Sequence, residues 1–147
     1  MKPSKPPFYR QETPDSCVPA CLRMVLAGYG LHVSEADLRA LCDCTSDGTS
    51  ALFALDAARH FGFANTSKQT LNLDELAGLT HNGIYPIVFV SLRPIDGRRG
   101  AHALVVLEIG TNWITVYDPA QGERLIELET FRVAWRTHYN LAIIVEN

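Results

Sequence analysis

Gln11-Glu12-Thr13-Pro14-Asp15-Ser16-Cys17-Val18-Pro19-Ala20-Cys21-Leu22-Arg23-Met24-Val25-Leu26-Ala27-Gly28-Tyr29-Gly30 reads as a loop that opens a helix. Asp15 and Ser16 are N-cap residue types, and Pro19 is tolerated only in a first turn. Cys21 to Ala27 are mostly apolar helix formers, and Gly28 and Gly30 supply the stop. Cys17 therefore falls at or beside the helix N-terminus, where unpaired N–H groups and the helix dipole favour negative charge. A thiol so placed gives up its proton more readily, and the thiolate is the nucleophile. Gln11 lies six positions upstream, where a folded loop brings its amide toward the sulfur. An amide there stabilises the oxyanion formed by attack on a carbonyl. The other account of Cys17 is a packed, unreactive core cysteine, the commoner fate of this residue type.

Around this stretch, 147 residues with 47% hydrophobic content suffice for one globular domain with a real core. A net charge of -3 argues against nucleic acid or an anionic membrane surface as partner. The short basic clusters, Lys2 to Lys5 and Arg98-Arg99, read as a solvated tail and loop. No apolar run approaches the roughly 20 residues that span a bilayer. The opening M-K-P-S-K-P-P-F-Y-R has no hydrophobic segment of a signal peptide. The expected location is the cytoplasm, as a free-standing protein or as the cytoplasmic domain of a membrane transporter. Four cysteines in such a chain do not suggest a disulfide framework. Cys17 and Cys21 are one helical turn apart and Cys42-Asp43-Cys44 is a tight pair, so neither has the spacing of a zinc knuckle. No metal is expected, and Cys21 reads as a core residue on the Cys17 face.

Taken in order, residues 1–10 are a proline-rich lead-in, expected to be extended and partly mobile, and residues 11–147 form a single domain. A helix runs from Cys17 to Tyr29. Ser34 caps a second, S-E-A-D-L-R-A-L-C, with Asp37 set for a capping-box contact. T-S-D-G-T-S is a turn, and a third helix spans Ala51 to Phe61. His60 on it reads as a surface or packed residue. A short strand is expected over Phe63 to Lys68 and a helix over Leu73 to Leu79. Strands follow over Ile84 to Leu92, His102 to Ile109, Trp113 to Asp118, Arg124 to Ile126 and Leu141 to Val145, with a helical turn over Glu129 to Trp135. Helices first and antiparallel strands afterwards is an α+β arrangement.

A reactive cysteine needs a base and a group to orient that base. Of five histidines, His102 opens a buried-looking strand directly after a glycine-containing loop. If Gly110-Thr111-Asn112 is a three-residue turn, Ile109 pairs with Trp113 and Leu104 faces Asp118. His102 and Asp118 are then diagonal neighbours on one face. A two-residue turn flips the parity and separates them. The competing account is that Asp118-Pro119 merely starts a turn and His102 is a satisfied strand residue.

Together these residues resemble the bacteriocin-processing, or double-glycine leader, peptidase family, the papain-like domain found in peptidase-containing ABC transporters and as stand-alone proteins. The resemblance covers nearly the whole chain. It is carried by Gln11, by C-V-P-A-C-L-R-M-V-L from Cys17, by Tyr29-Gly30 and by Asp47-Gly48-Thr49-Ser50. A-A-R-H-F-G-F, His102 before an apolar strand, V-Y-D-P-A-Q-G around Asp118, and Phe131 with Trp135 complete it. It implies a papain-like α+β fold, with the cysteine helix packed against an antiparallel sheet. It also implies roles: Cys17 as nucleophile, His102 as base and then acid, Asp118 as its orienting group, and Gln11 as oxyanion donor. The implied reaction is cleavage of a leader peptide after a Gly-Gly or Gly-Ala pair through a thioester, with no metal or organic cofactor. The implied partners are a leader-bearing peptide or protein and an ABC transporter. Val18 stands where the family often has glycine after the nucleophile, and Ala103 where an aromatic commonly follows the histidine. Two other readings use the same residues: a non-catalytic domain that binds a secretion substrate, and a transglutaminase-like Cys-His-Asp acyl transferase.

Overall fold

The computed structural model describes residues 2–41 and 51–147. The expected T-S-D-G-T-S turn, the Asp47–Ser50 motif, Cys42 and Cys44 lie outside the described residues. The helix that opens at the quoted stretch, α1, is Cys17–Gly28. It is followed by α2 (Glu35–Leu41) and α3 (Ala51–His60). Then come β1 (Ser67–Thr70), α4 (Leu73–His81), β2 (Ile87–Ser91), α5 (Leu92–Asp96), β3 (Ala101–Ile109) and β4 (Trp113–Asp118). The chain closes with β5 (Gly122–Glu127), α6 (Leu128–Arg136) and β6 (Leu141–Ile144). Among the described residues the strands form one sheet in the order β1-β6-β2-β3-β4-β5, with every pairing antiparallel.

Strand alternation divides the core in two, because successive side chains point to opposite faces of a sheet. Ile87, Ala103, Val105, Leu107, Tyr117 and Ile143 pack with α1, Leu38 of α2 and α3. Val88, Val90, Leu104, Val106, Ile114, Val116 and Ile126 pack with Leu76 of α4 and with Phe131, Ala134 and Trp135 of α6. The sheet is thus covered on both faces. That explains why β3 is an unbroken apolar run rather than an alternating one.

Most expected elements stand within a residue or two of their places. The first strand lies later than expected, because Ser67 to Thr70 is drawn into pairing with β6. The loop before β3 contains the short helix α5, closed by Gly97 at φ +70. The lead-in is extended but bound. Ser4 N–H donates to Gly28 O at 2.8 Å, the Tyr117 hydroxyl donates to Pro6 O at 2.9 Å, and Phe8 stacks edge-on against Tyr117.

The β3–β4 hairpin differs in one respect that bears on the site. Its turn is not the three-residue one. Ile109 pairs with Ile114, and Gly110 N–H bonds Trp113 O across the end. A turn of that parity would move His102 off the Asp118 face. The register shifts, however, between Val106 and Glu108, so Leu107 is the extra residue of a β-bulge. Beyond it Val106 pairs with Val116 and Val105 with Tyr117. Continued, that register sets Leu104 across from Asp118, as the sequence reading had it by a different turn.

Candidate active site

Cys17 is the first residue of α1, and Ser16 precedes it in the N-cap position. Ser16 does not cap with its side chain, contrary to expectation. Its hydroxyl accepts from Thr13 N–H at 3.0 Å and donates to Thr13 O at 3.1 Å, tightening the loop instead. The first turn of α1 is thereby left without a side-chain acceptor, so its N–H groups and the positive end of its dipole face the thiol. Pro19 in this turn gives up an N–H that the helix does not use. Cys17 is partly exposed and Cys21, one turn on, is buried. Burial, with the nearby charges of Cys17 and Asp118, pushes the Cys21 thiol well up. Of the two, only Cys17 is placed to react.

His102 and Asp118 meet as the hairpin requires. His102 Nε2 lies 2.6 Å from Asp118 Oδ1, with His102 8% and Asp118 1% exposed. Oδ1 also accepts from Ala120 N–H at 2.9 Å, and Oδ2 accepts from Arg124 Nη1 at 3.2 Å. Both oxygens of a buried carboxylate are therefore satisfied, which its burial demands. Arg124 is itself bidentate to Asp96, at 2.8 and 3.2 Å. Burial pushes the Asp118 carboxyl up, but the bond and charge of His102, the Ala120 N–H and Arg124 together hold it below its ordinary value. Burial likewise pushes His102 down, and is outweighed by the hydrogen bonds and charges of Asp118 and Cys17, which raise it from 6.5 to about 9. Because Asp118 accepts the Nε2–H hydrogen bond, Nδ1 is the nitrogen left to exchange a proton with Cys17.

Gln11 reaches the same place through its backbone. Its N–H donates to Pro119 O at 2.8 Å, beside Asp118. Its side-chain Nε2 donates to Thr13 O at 2.9 Å and to Pro14 O at 3.2 Å, and its Oε1 is buried without a partner. The amide is thus engaged with its own loop rather than with the thiol. The structure brings Cys17, His102 and Asp118 together and sets Gln11 at their edge. Arg124 and Ala120, which complete the Asp118 cage, were not anticipated. The Arg124 contact follows from the β4–β5 register, which only the structure supplies: Arg124 pairs with Val116, two residues from Asp118. A cavity of about 850 Å³ between α4, β3, β4 and β5 contains none of these groups.

A nucleophile at a helix start, an imidazole beside it and a buried carboxylate behind the imidazole are the parts of an acyl-transfer site. A family model described as the peptidase C39 family matches residues 5–146. An uncharacterized protein of Methanothermobacter marburgensis is 33% identical over 122 residues, covering 83% of this chain and 78% of its own. The transport/processing ATP-binding protein ComA of Streptococcus pneumoniae is 33% identical over 138 residues, 92% of this chain. The chain spans 18% of that transporter's length. The crystal structure of the peptidase domain of Streptococcus ComA, a bi-functional ABC transporter of a quorum sensing pathway, superposes with a TM-score of 0.78 at 29% identity. That likeness covers 95% of this chain and 97% of the other.

Proposed function

Since the chain belongs to the peptidase C39 family and is a cysteine peptidase, we propose that it cleaves a leader peptide after a pair of small residues, with Cys17, His102, Asp118 and Gln11 as its machinery. What carries the reading is the buried 2.6 Å bond between His102 Nε2 and Asp118 Oδ1, at the helix end where Cys17 stands. The Cys17 thiolate attacks the scissile carbonyl carbon and pushes the π electrons onto oxygen. The oxyanion takes hydrogen bonds from the α1 N-terminus and from Gln11 once an N–H of its amide turns from the loop carbonyls. The tetrahedral species collapses, the C–N bond breaks, and the His102 imidazolium gives its proton to the leaving amine. A water then loses a proton to His102, attacks the thioester, and frees the carboxylate and the thiolate. Asp118 stays ionised throughout and keeps the imidazole turned toward Cys17.

The substrate reading, a leader ending in Gly-Gly or Gly-Ala, rests on family likeness. ComA is a transport/processing ATP-binding protein, and by analogy the proposed partner is an ABC transporter, with cleavage on its cytoplasmic side. No described helix is long and apolar enough to cross a membrane. The test is a panel of peptides carrying Gly-Gly, Gly-Ala or bulkier pairs, digested by wild type and Cys17→Ala and read by mass spectrometry. Cleavage after the small pair, by wild type alone, is the expected result. Cleavage by Cys17→Ala sinks the role given to Cys17, and none by a wild type whose Cys17 still alkylates quickly sinks the leader-peptide reading. Product formed only with an added amine points to an acyl transferase.

A further inference from the structure

Glu35, the first residue of α2, is fully buried, and the chemistry above makes no use of it. Its Oε1 and Oε2 accept the backbone N–H of Glu12 at 3.0 and 3.2 Å, and Oε2 also accepts from Arg39 Nε at 3.0 Å. The Glu12 carboxylate is held in turn by Arg39 at 3.3 Å and by Arg23 of α1 at 3.5 Å. Glu12 directly follows Gln11. The Gln11 residue is therefore fixed on both sides: its own N–H is bonded to Pro119 O and the next N–H to Glu35. Residues 11–16 belong to no helix or strand, so these bonds, with the Ser16–Thr13 pair, set the course of the loop.

A buried carboxylate is a costly way to hold a helix. Desolvating the ion costs several kcal/mol, and an apolar residue of similar size at such a site is often neutral or stabilising. The α2 dipole would be served as well by an exposed acid, and Asp37 supplies one in the same turn. What only a buried acceptor at this position does is capture the Glu12 N–H. We propose that Glu35 is a positioning residue for the oxyanion donor Gln11, locking the Gln11–Glu12 peptide so that the amide lies within reach of the Cys17 end of α1. This rests on the role given to Gln11 above.

The role separates two readouts. Alkylation of Cys17 by iodoacetamide is displacement at a saturated carbon, forms no oxyanion and needs only the Cys–His pair. Turnover of a cleaved peptide, or of a p-nitrophenyl ester, passes through the oxyanion. In the full chain, Glu35→Leu lowers kcat about tenfold or more, with KM and the Cys17 alkylation rate unchanged. Glu35→Gln keeps an acceptor for the Glu12 N–H and retains most of kcat. Gln11→Ala lowers kcat by about a hundredfold or more, and adding Glu35→Leu to it costs nothing further. If Glu35→Leu does not fold, Glu12→Pro, which deletes the donated N–H and leaves the Glu35–Arg39 pair, carries the same expectations. An unchanged kcat, a kcat and alkylation rate that fall together, or a Glu35→Gln as impaired as Glu35→Leu overturns the inference. An inert Gln11→Ala removes the oxyanion assignment itself, whereas an impaired Gln11→Ala beside an unimpaired Glu35→Leu removes only the positioning role.

Discussion

His102 is raised to about 9 although burial alone pushes an imidazole down, and the excess comes from the bonds and charges of Asp118 and Cys17. Above pH 9 the imidazolium is lost, and with it the acid that the proposed mechanism uses to protonate the leaving amine. The kcat/KM profile of the wild type is therefore expected to fall on an alkaline limb near pH 9, belonging to the coupled pair rather than to one residue. Asp118→Ala leaves burial unopposed by that carboxylate, so the limb moves to lower pH and the plateau drops. A limb unmoved by Asp118→Ala would mean that the 2.6 Å bond does not govern the imidazole. Stability follows the same sign. The folded value is raised above 6.5, so the contribution of His102 is full below pH 6.5, while Asp118 remains ionised, and is lost as pH rises through about 9. The placement of Cys17, His102 and Asp118 was legible in the sequence because each stands at or beside an element boundary that local rules mark. Arg124 and Glu35 were not, because a salt bridge or backbone capture by a long side chain depends on how two elements are finally set. Neither the 23-residue separation of Glu35 from Glu12 nor the pattern of α2 announces it.

At the scale of elements, capping chemistry is the most readable feature and also the easiest to isolate from function. Asn72 opens α4 with a full capping box: its Oδ1 accepts Glu75 N–H at 2.7 Å, and Glu75 Oε1 accepts Asn72 N–H at 3.0 Å. Asn72→Ala is expected to cost about 1 kcal/mol in urea unfolding and to leave peptide turnover unchanged, because the cap is exposed and belongs to no part of the site. The β3–β4 hairpin shows the opposite case. The sequence predicts the right facing of His102 and Asp118 from the wrong turn, and the two differences cancel through the bulge at Leu107. No residue type marks that bulge, since Leu107 sits in a run of apolar residues that fits a regular strand equally well. A local propensity argument fails there because the bulge is set by which residues of β3 and β4 pair across the hairpin. β1 was misplaced for a related reason. Its Ser67–Thr70 sequence is polar, and only the backbone partners on β6 make it a strand.

For the molecule as a whole, the N-terminal segment ties the helical and sheet halves together, and Gly28 tests whether it contributes to stability. A Cβ at Gly28 would stand 2.7 Å from Ser4 O, a backbone atom that cannot swing aside. In an unencumbered helix, glycine to alanine gains up to about 1 kcal/mol. Gly28→Ala is expected to destabilise instead, and to open residues 2–8 to limited proteolysis. A stabilised variant with unchanged proteolysis would mean that the segment adds little. The same contacts fix where the two ends of the described chain lie. Ser4 is bonded to Gly28, and Val145 O accepts the Tyr29 hydroxyl at 2.5 Å, so both ends are gathered at the last turn of α1. Cys17 begins that helix, about 16 Å away along its axis. Whatever is attached at either end, whether a fluorophore, a bead or more polypeptide, is moored at the pole opposite the thiol.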